Sequence, residues 1–286
     1  KEDVTLDGDR IPLLANIGEL FELEAARHSR AAGIGLFRSE FLYMERETYP
    51  SEEEQFQIYR QIVQEMQGQP VVIRTLDIGA DNQADYFRLE GEINPAMGYR
   101  GIRISLDREE LFKTQLKALF RAAMYGDLSV LYPMITSLEE VEAIREIVCD
   151  IREEMDAKKI PYGKMRQGIM IETPAAVMIS DLLAEKVDFF SIGTNDLTQY
   201  SMAADRQNPR VSHLCSSRHP AVLRMIQMTV KNGHRKGIPV TICGELAADR
   251  EMTQKLIGMG VDALSVSPNQ ILPLRKELRS ITVREH

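Results

Sequence analysis

The sequence predicts an α/β fold organised as a single-domain (β/α)8 TIM barrel. Three observations carry that reading: eight short apolar runs recur along 286 residues, amphipathic patterns separate them, and no Gly/Pro/Ser-rich linker divides the chain. Most runs are near-continuously apolar instead of alternating, as strands buried on both faces of a parallel sheet are. A doubly wound open sheet gives the same alternation of strand and helix, and the count of eight favours closure.

The elements follow in chain order. IPLLAN (11–16) and GIGLFR (33–38) are the first two strands. Ser51 and Glu54 form a capping box ahead of Phe56, Tyr59, Ile62, Val63 and Met66, which recur every three or four residues on one helical face. VVIRTLD (71–77) is the third strand. The stretch 78–104 is long and turn-rich, and reads as an active-site loop or small excursion, not a domain boundary. Phe112, Leu116, Leu119 and Ala123 mark the next helix, and LSVLYPM (128–134) the fourth strand. Ser137 and Glu140 form a second capping box, ahead of Val141, Ile144, Val148 and Ile151. GIMIE (168–172), DFFSIG (188–193), IPVTIC (238–243) and ALSVS (263–267) complete the strands, with the last two long helices expected over 221–235 and 249–257.

Composition narrows the function. Lys and Arg number 35 against 43 Asp and Glu, a net charge of −8. No basic tract offers the phosphate footprint of a nucleic-acid binder or of a polybasic membrane-surface protein. No apolar run approaches the roughly 18 residues of a bilayer span, so no membrane insertion is expected. KEDVTLDGDR has no signal-peptide apolar region and no initiator Met, so the chain is expected to be a piece of a longer protein. The three cysteines, Cys149, Cys215 and Cys243, are far apart with no CxxC, which reads as a reduced, cytoplasmic chain. Cys149 falls in the apolar stripe of a helix and is expected in the core.

In a barrel the C-terminal strand ends and the loops after them build the active site. Here they carry Arg38, then Arg74 and Asp77, then Glu172, then Asn195 and Asp196, then Cys243 and Glu245, then Ser265 and Ser267. Glu172 and Asp196 come from adjacent strands. Two hard oxygen ligands with room for water and a substrate oxygen suit Mg2+. Arginines facing such a metal suit a phosphorylated, carboxylated small molecule, because guanidinium forks pair bidentately with both groups. A lone cysteine in an apolar strand, by itself, is more often core than catalyst. Gly258, Gly260 and Ala263 match a loose GxGxxA, but they precede a strand instead of following one, so dinucleotide-binding mechanics are absent.

FRSEFLYM (37–44), RTLDIG (74–79), NPAMGYRGIR (94–103), IETPAA (171–176), GTNDLTQY (193–200), ADRQN (204–208) and CGELAAD (243–249) together resemble the phosphoenolpyruvate-utilising enzymes. TNDLTQY, then DRxN, then CGELA is most similar to the enzyme I family, the phosphotransferases of bacterial sugar uptake. A fragment of a dikinase or a phosphoenolpyruvate synthase is the alternative within the same group, and a non-catalytic phosphoenolpyruvate-sensing dimer is the alternative outside it.

The resemblance implies that Arg38, Arg74, Arg100, Asn195, Asp196 and Arg206 bind phosphoenolpyruvate. It implies that Glu172 and Asp196 hold Mg2+, and that Cys243 donates the proton to C3 of the enolate. It also implies a phosphohistidine domain of the same parent protein as the first partner, the carrier HPr as the second, and a homodimer. The five histidines, His28, His213, His219, His234 and His286, lie outside any phosphohistidine motif, so the chain reads as the C-terminal phosphoenolpyruvate-binding domain alone. One departure stands out. The family pattern DIGGDK is DIGADN here, with Ala80 and Asn82, so one positive charge near the site is missing.

Overall fold

The computed structural model describes residues 2–44, 46–79 and 92–283; Ala80, Asn82 and His286 lie outside them. Eight parallel strands close into a ring in chain order. They are β1 (Leu13–Ile17), β2 (Ile34–Arg38), β3 (Val71–Arg74), β4 (Leu128–Tyr132), β5 (Arg166–Ile171), β6 (Phe189–Ile192), β7 (Val240–Ile242) and β8 (Ala263–Val266). The closing pair is β1 with β8, in register Leu13↔Leu264 and Ala15↔Val266. This is the (β/α)8 barrel that the alternation of runs predicts.

The two burial sets explain why the strands read as continuously apolar. Phe37, Val130, Ile169, Ile171, Phe190, Ile192 and Ile242 belong to the large core that also holds the helix faces. Their neighbours Leu36, Leu131, Met170, Phe189 and Cys243 form a second, smaller cluster. Successive strand residues point to opposite faces, so the second cluster fills the lumen. Cys243 is thereby placed on the inner wall, not under a helix.

Both capping boxes form, at Ser51 with Glu54 and at Ser137 with Glu140. The helices they start are Glu52–Glu65 and Leu138–Ala157. In the second, Val141, Ile144, Ile147, Ile151 and Met155 make the buried stripe. Cys149 lies off that stripe and is exposed, which corrects the expectation of a core thiol.

The long helix expected over 249–257 is only Thr253–Gly258, preceded by the 3-10 turn Glu245–Ala248. Asp249 and Glu251 are drawn away instead by Arg218. The long final helix is Pro268–Leu278, with Pro268 in its first turn and Pro273 inside it. A proline inside the pattern argues against a helix, because it removes a backbone donor. Ile271, Leu274 and Leu278 nonetheless pack at helical spacing into the core.

Candidate active site

The strand ends open into one cavity of about 740 Å3. Arg38, Arg74, Arg100, Glu172, Asn195, Asp196, Arg206 and Cys243 all line it, as do Asp77, Glu245 and Ser267; Ser265 does not. Strand boundaries differ from the expected ones by small steps. Glu172 and Cys243 each lie one residue beyond their strand, and Asp77 lies three beyond Arg74, the last residue of β3.

Arg74 and Arg100 are buried and held by carboxylates. Arg74 Nη2 meets Glu40 at 3.1 Å and Nη1 meets Asp77 at 3.0 Å. Arg100 Nη2 meets Asp77 at 3.2 Å, and its Nη1 reaches Asp196 at 3.4 Å and the Tyr200 hydroxyl at 3.2 Å. Burial works against both charges, but the facing carboxylates outweigh it and hold each guanidinium above its ordinary pKa. In both, Nε is buried without a hydrogen-bond partner among the described residues. Arg38 and Arg206 are the opposite case. Both are exposed at the rim, and neither makes an ion pair among the described residues.

Glu172 is 1% exposed. Its Oε1 accepts the Met134 amide at 2.7 Å. Met134 has a left-handed backbone, φ 58°, an unfavourable conformation for a side-chain-bearing residue that here belongs to the residue donating to Glu172. Gly193 leaves room on the other side, since a Cβ there would come within 2.7 Å of Glu172 Oε2. Burial first, then the charges of Asp196 and Asp77, push the Glu172 carboxyl up to about 8.

The Cys243 thiol donates to the Ile192 carbonyl at 3.5 Å. Burial pushes it up to about 11, so the sulfur keeps its proton at neutral pH. Asn16, on β1, donates to the Cys243 carbonyl at 2.7 Å and to the Ser265 carbonyl at 3.0 Å, and accepts from the Ser265 hydroxyl. Asn195 Oδ1 accepts the Glu245 amide at 3.0 Å, which ties the loop after β6 to the loop after β7.

Sequence reasoning missed Asn16, Glu40 and Tyr200 as members of this site. Asn16 carried a signal, a polar residue at the end of an otherwise apolar run. Glu40 sits inside a quoted motif, but its pairing with Arg74 is a contact across two strands that sequence does not display. Tyr200 bonds the Ala96 carbonyl as well as Arg100, linking the helix Thr194–Met202 to the loop after β3.

Residues 1–283 match the family described as PEP-utilising enzyme, PEP-binding domain. The chain belongs to that family. It is 43% identical over 283 residues to a phosphoenolpyruvate-protein phosphotransferase of Haemophilus influenzae, covering 99% of this chain and 49% of that protein. The protein of the same name from Bacillus subtilis is 42% identical, with 99% and 50% covered. The chain therefore spans about half the length of these relatives. Among solved structures, a citrate lyase of Burkholderia xenovorans superposes with a TM-score of 0.58 at 14% identity, covering 94% of this chain and 77% of the other. At that identity the likeness concerns the fold alone.

A PEP-binding domain has to accept a strongly anionic molecule. Here four arginines, Arg38, Arg74, Arg100 and Arg206, face six carboxylates, Glu22, Asp77, Glu172, Asp196, Glu245 and Asp249. Protein groups alone leave such a cavity short of positive charge. Glu172 and Asp196 are the hard oxygen donors whose crowding a divalent cation would relieve. No cluster of three or more His, Cys, Asp or Glu surrounds one point among the described residues. Two carboxylates completed by water and ligand oxygens fit a Mg2+ that keeps part of its hydration. Also among the described residues, no helix is long and apolar enough to cross a membrane.

Proposed function

We propose that this domain binds phosphoenolpyruvate together with Mg2+ and catalyses transfer of the phosphoryl group to a histidine on a separate N-terminal domain, releasing pyruvate. That histidine then passes the group to HPr, the first steps of sugar uptake by a phosphotransferase system. The observation that supports this best is the charge pattern of the cavity: two arginines already neutralised in its wall, two uncommitted at its rim, and a carboxyl crowded up to about 8 beside a second carboxylate. The names of the relatives favour the phosphotransferase over a dikinase fragment.

The residues divide the work. Arg38 and Arg206 fork onto the phosphoryl and carboxylate oxygens, with Asn195 beside them. Arg74 and Arg100 are locked by Glu40, Asp77 and Asp196 and offer a rigid positive wall. Glu172 and Asp196 would hold Mg2+, which when bound supplies positive charge to the carboxylate and enolate oxygens. As the imidazole takes the phosphoryl group, the P–O bond breaks and its electron pair stays on the enolate oxygen. C3 of the enolate then takes the Cys243 proton, and solvent returns a proton to the thiolate. Residues 1–286 act as one domain in this scheme, and the phosphohistidine and HPr-binding domains belong to the rest of the parent protein. The setting is the cytoplasm, where the three free thiols stay reduced.

Calorimetry tests the ligand assignment. Phosphoenolpyruvate should bind in Mg2+ and fail to bind in EDTA, and equal affinity in the two would sink the metal. The chain by itself should not phosphorylate HPr, whereas adding a separately made phosphohistidine domain should restore slow transfer. We also propose a homodimer, which the family membership supports. Ultracentrifugation at micromolar concentration should find it, and a persistent monomer would count against it.

A further inference from the structure

We propose that Arg218 is a positioning residue for substrate binding: its fork on Asp249 fastens the segment that carries Arg206 to the segment after β7 that carries Cys243, across the mouth of the cavity. The choice of ligand rests on the proposed function, but the fastening itself does not.

Residues 203–219 join the helix Thr194–Met202 to the helix Pro220–Arg235. Arg206 projects from this segment to line the cavity. The segment is pinched at its base, where the Cys215 thiol donates to the Ala204 carbonyl at 3.2 Å. On the Arg206 side, the Arg206 amide donates to the Gln199 side chain at 3.0 Å and the Ala204 amide to the Gln199 carbonyl at 3.2 Å. Three residues past the pinch stands Arg218. Its Nε donates to Asp249 Oδ2 at 2.6 Å and its Nη2 to Asp249 Oδ1 at 2.8 Å. Its Nη1 reaches Glu251 at 2.5 Å. The Glu251 amide donates to Asp249 Oδ1 at 3.2 Å and aims that carboxylate. One guanidinium thus spans two carboxylates of another loop, in the bidentate geometry that distinguishes a specific pair from an incidental surface contact.

The position matters because Asp249 also lines the cavity, six residues after Cys243. The clasp therefore joins the two loops that carry Arg206 and the thiol. Arg218 itself does not line the cavity, so its influence on the ligand runs through the Arg206 segment. A lysine could keep the charge but not the fork.

Hydrogen exchange and phosphoenolpyruvate titration of the parent, Arg218→Ala, Arg206→Ala and the double variant test this. Amides in 203–219 should exchange about two- to five-fold faster in Arg218→Ala, the range open to an exposed pair. Phosphoenolpyruvate in Mg2+ should bind about two- to five-fold more weakly to that variant. In the Arg206→Ala background, removing Arg218 should change the affinity no further, because its lever is already gone. Additive losses, or unchanged exchange in 203–219, overturn the proposal. A parent that binds no phosphoenolpyruvate counts against the proposed function, and the exchange rates then decide the clasp by themselves.

Discussion

Replacing Cys243 with alanine should slow pyruvate formation by about 10²–10⁴-fold, the usual worth of a positioned acid, and leave phosphoenolpyruvate and Mg2+ binding near normal. The two halves of that expectation come from different observations. The thiol lies on the lumen side of the barrel and lines the cavity, so it can reach a bound ligand. Among the described residues it makes no hydrogen bond to the four arginines or the two candidate metal carboxylates, and its sulfur donates to the Ile192 carbonyl. Binding therefore has no need of it. Burial raises the thiol to about 11, so its protonated form dominates throughout the neutral range. The parent rate should show no loss attributable to this group until the pH nears that value. In the alanine variant, solvent would protonate a released enolate, and deuterium from D2O should enter C3 without facial preference. The assay supplies the phosphohistidine domain in trans and follows pyruvate. Turnover by the variant at the parent's rate would make Cys243 a lumen-filling residue and move the proton to another donor.

The barrel was legible because its determinants are local. Eight apolar runs, two Ser/Glu capping boxes and helical stripes each need only a short window of sequence. The polar strand ends were legible for a related reason, since a charged residue terminating an apolar run has few structural excuses. What stayed hidden depends on contacts distant in the chain. Glu40 is neutralised by Arg74, 34 residues away, and Asn16 holds the Cys243 carbonyl, 227 residues away. The fork of Arg218 on Asp249 spans 31 residues and diverts the start of an expected helix. The helix Pro268–Leu278 was not expected; Pro273 inside it removes a backbone donor, a cost offset by packing that a sequence does not display. Cys149 is a plainer case: at about 100° per residue it lies roughly 140° round the helix from Ile144 and roughly 160° from Ile151, so it falls off the buried stripe and is exposed.

Replacing Glu172 with glutamine should abolish Mg2+-dependent phosphoenolpyruvate binding, a loss of about 10²-fold or more given the several kcal/mol a Lewis-acidic ion contributes. Asp196→Asn should do the same, and neither variant should respond to EDTA. The sharper consequence is in the protons. With its carboxyl near 8, Glu172 is largely protonated at pH 7, held so by burial and by Asp196 and Asp77. A cation requires the ionised form, so Mg2+ binding to the parent should expel close to one proton at pH 7 and fewer above pH 9. Titrations in two buffers of different ionisation enthalpy count that proton. Mg2+ affinity should accordingly climb by up to about tenfold per pH unit below 8 and level off above it. The metal-free fold should behave in the reverse sense. Its Glu172 pKa lies above the ordinary 4.5, so the stabilisation is complete below that value and is lost as pH rises through about 8. Glutamine carries no such charge, so metal-free Glu172→Gln should melt higher than the parent at pH 9, and the gain should shrink toward pH 5. That combination, a more stable fold with a disabled site, is expected where like charges are crowded together for function. A parent that releases no proton on binding Mg2+ at pH 7, or a glutamine variant no more stable than the parent at pH 9, would show that Glu172 is already ionised and that its crowding with Asp196 is not what the cation relieves.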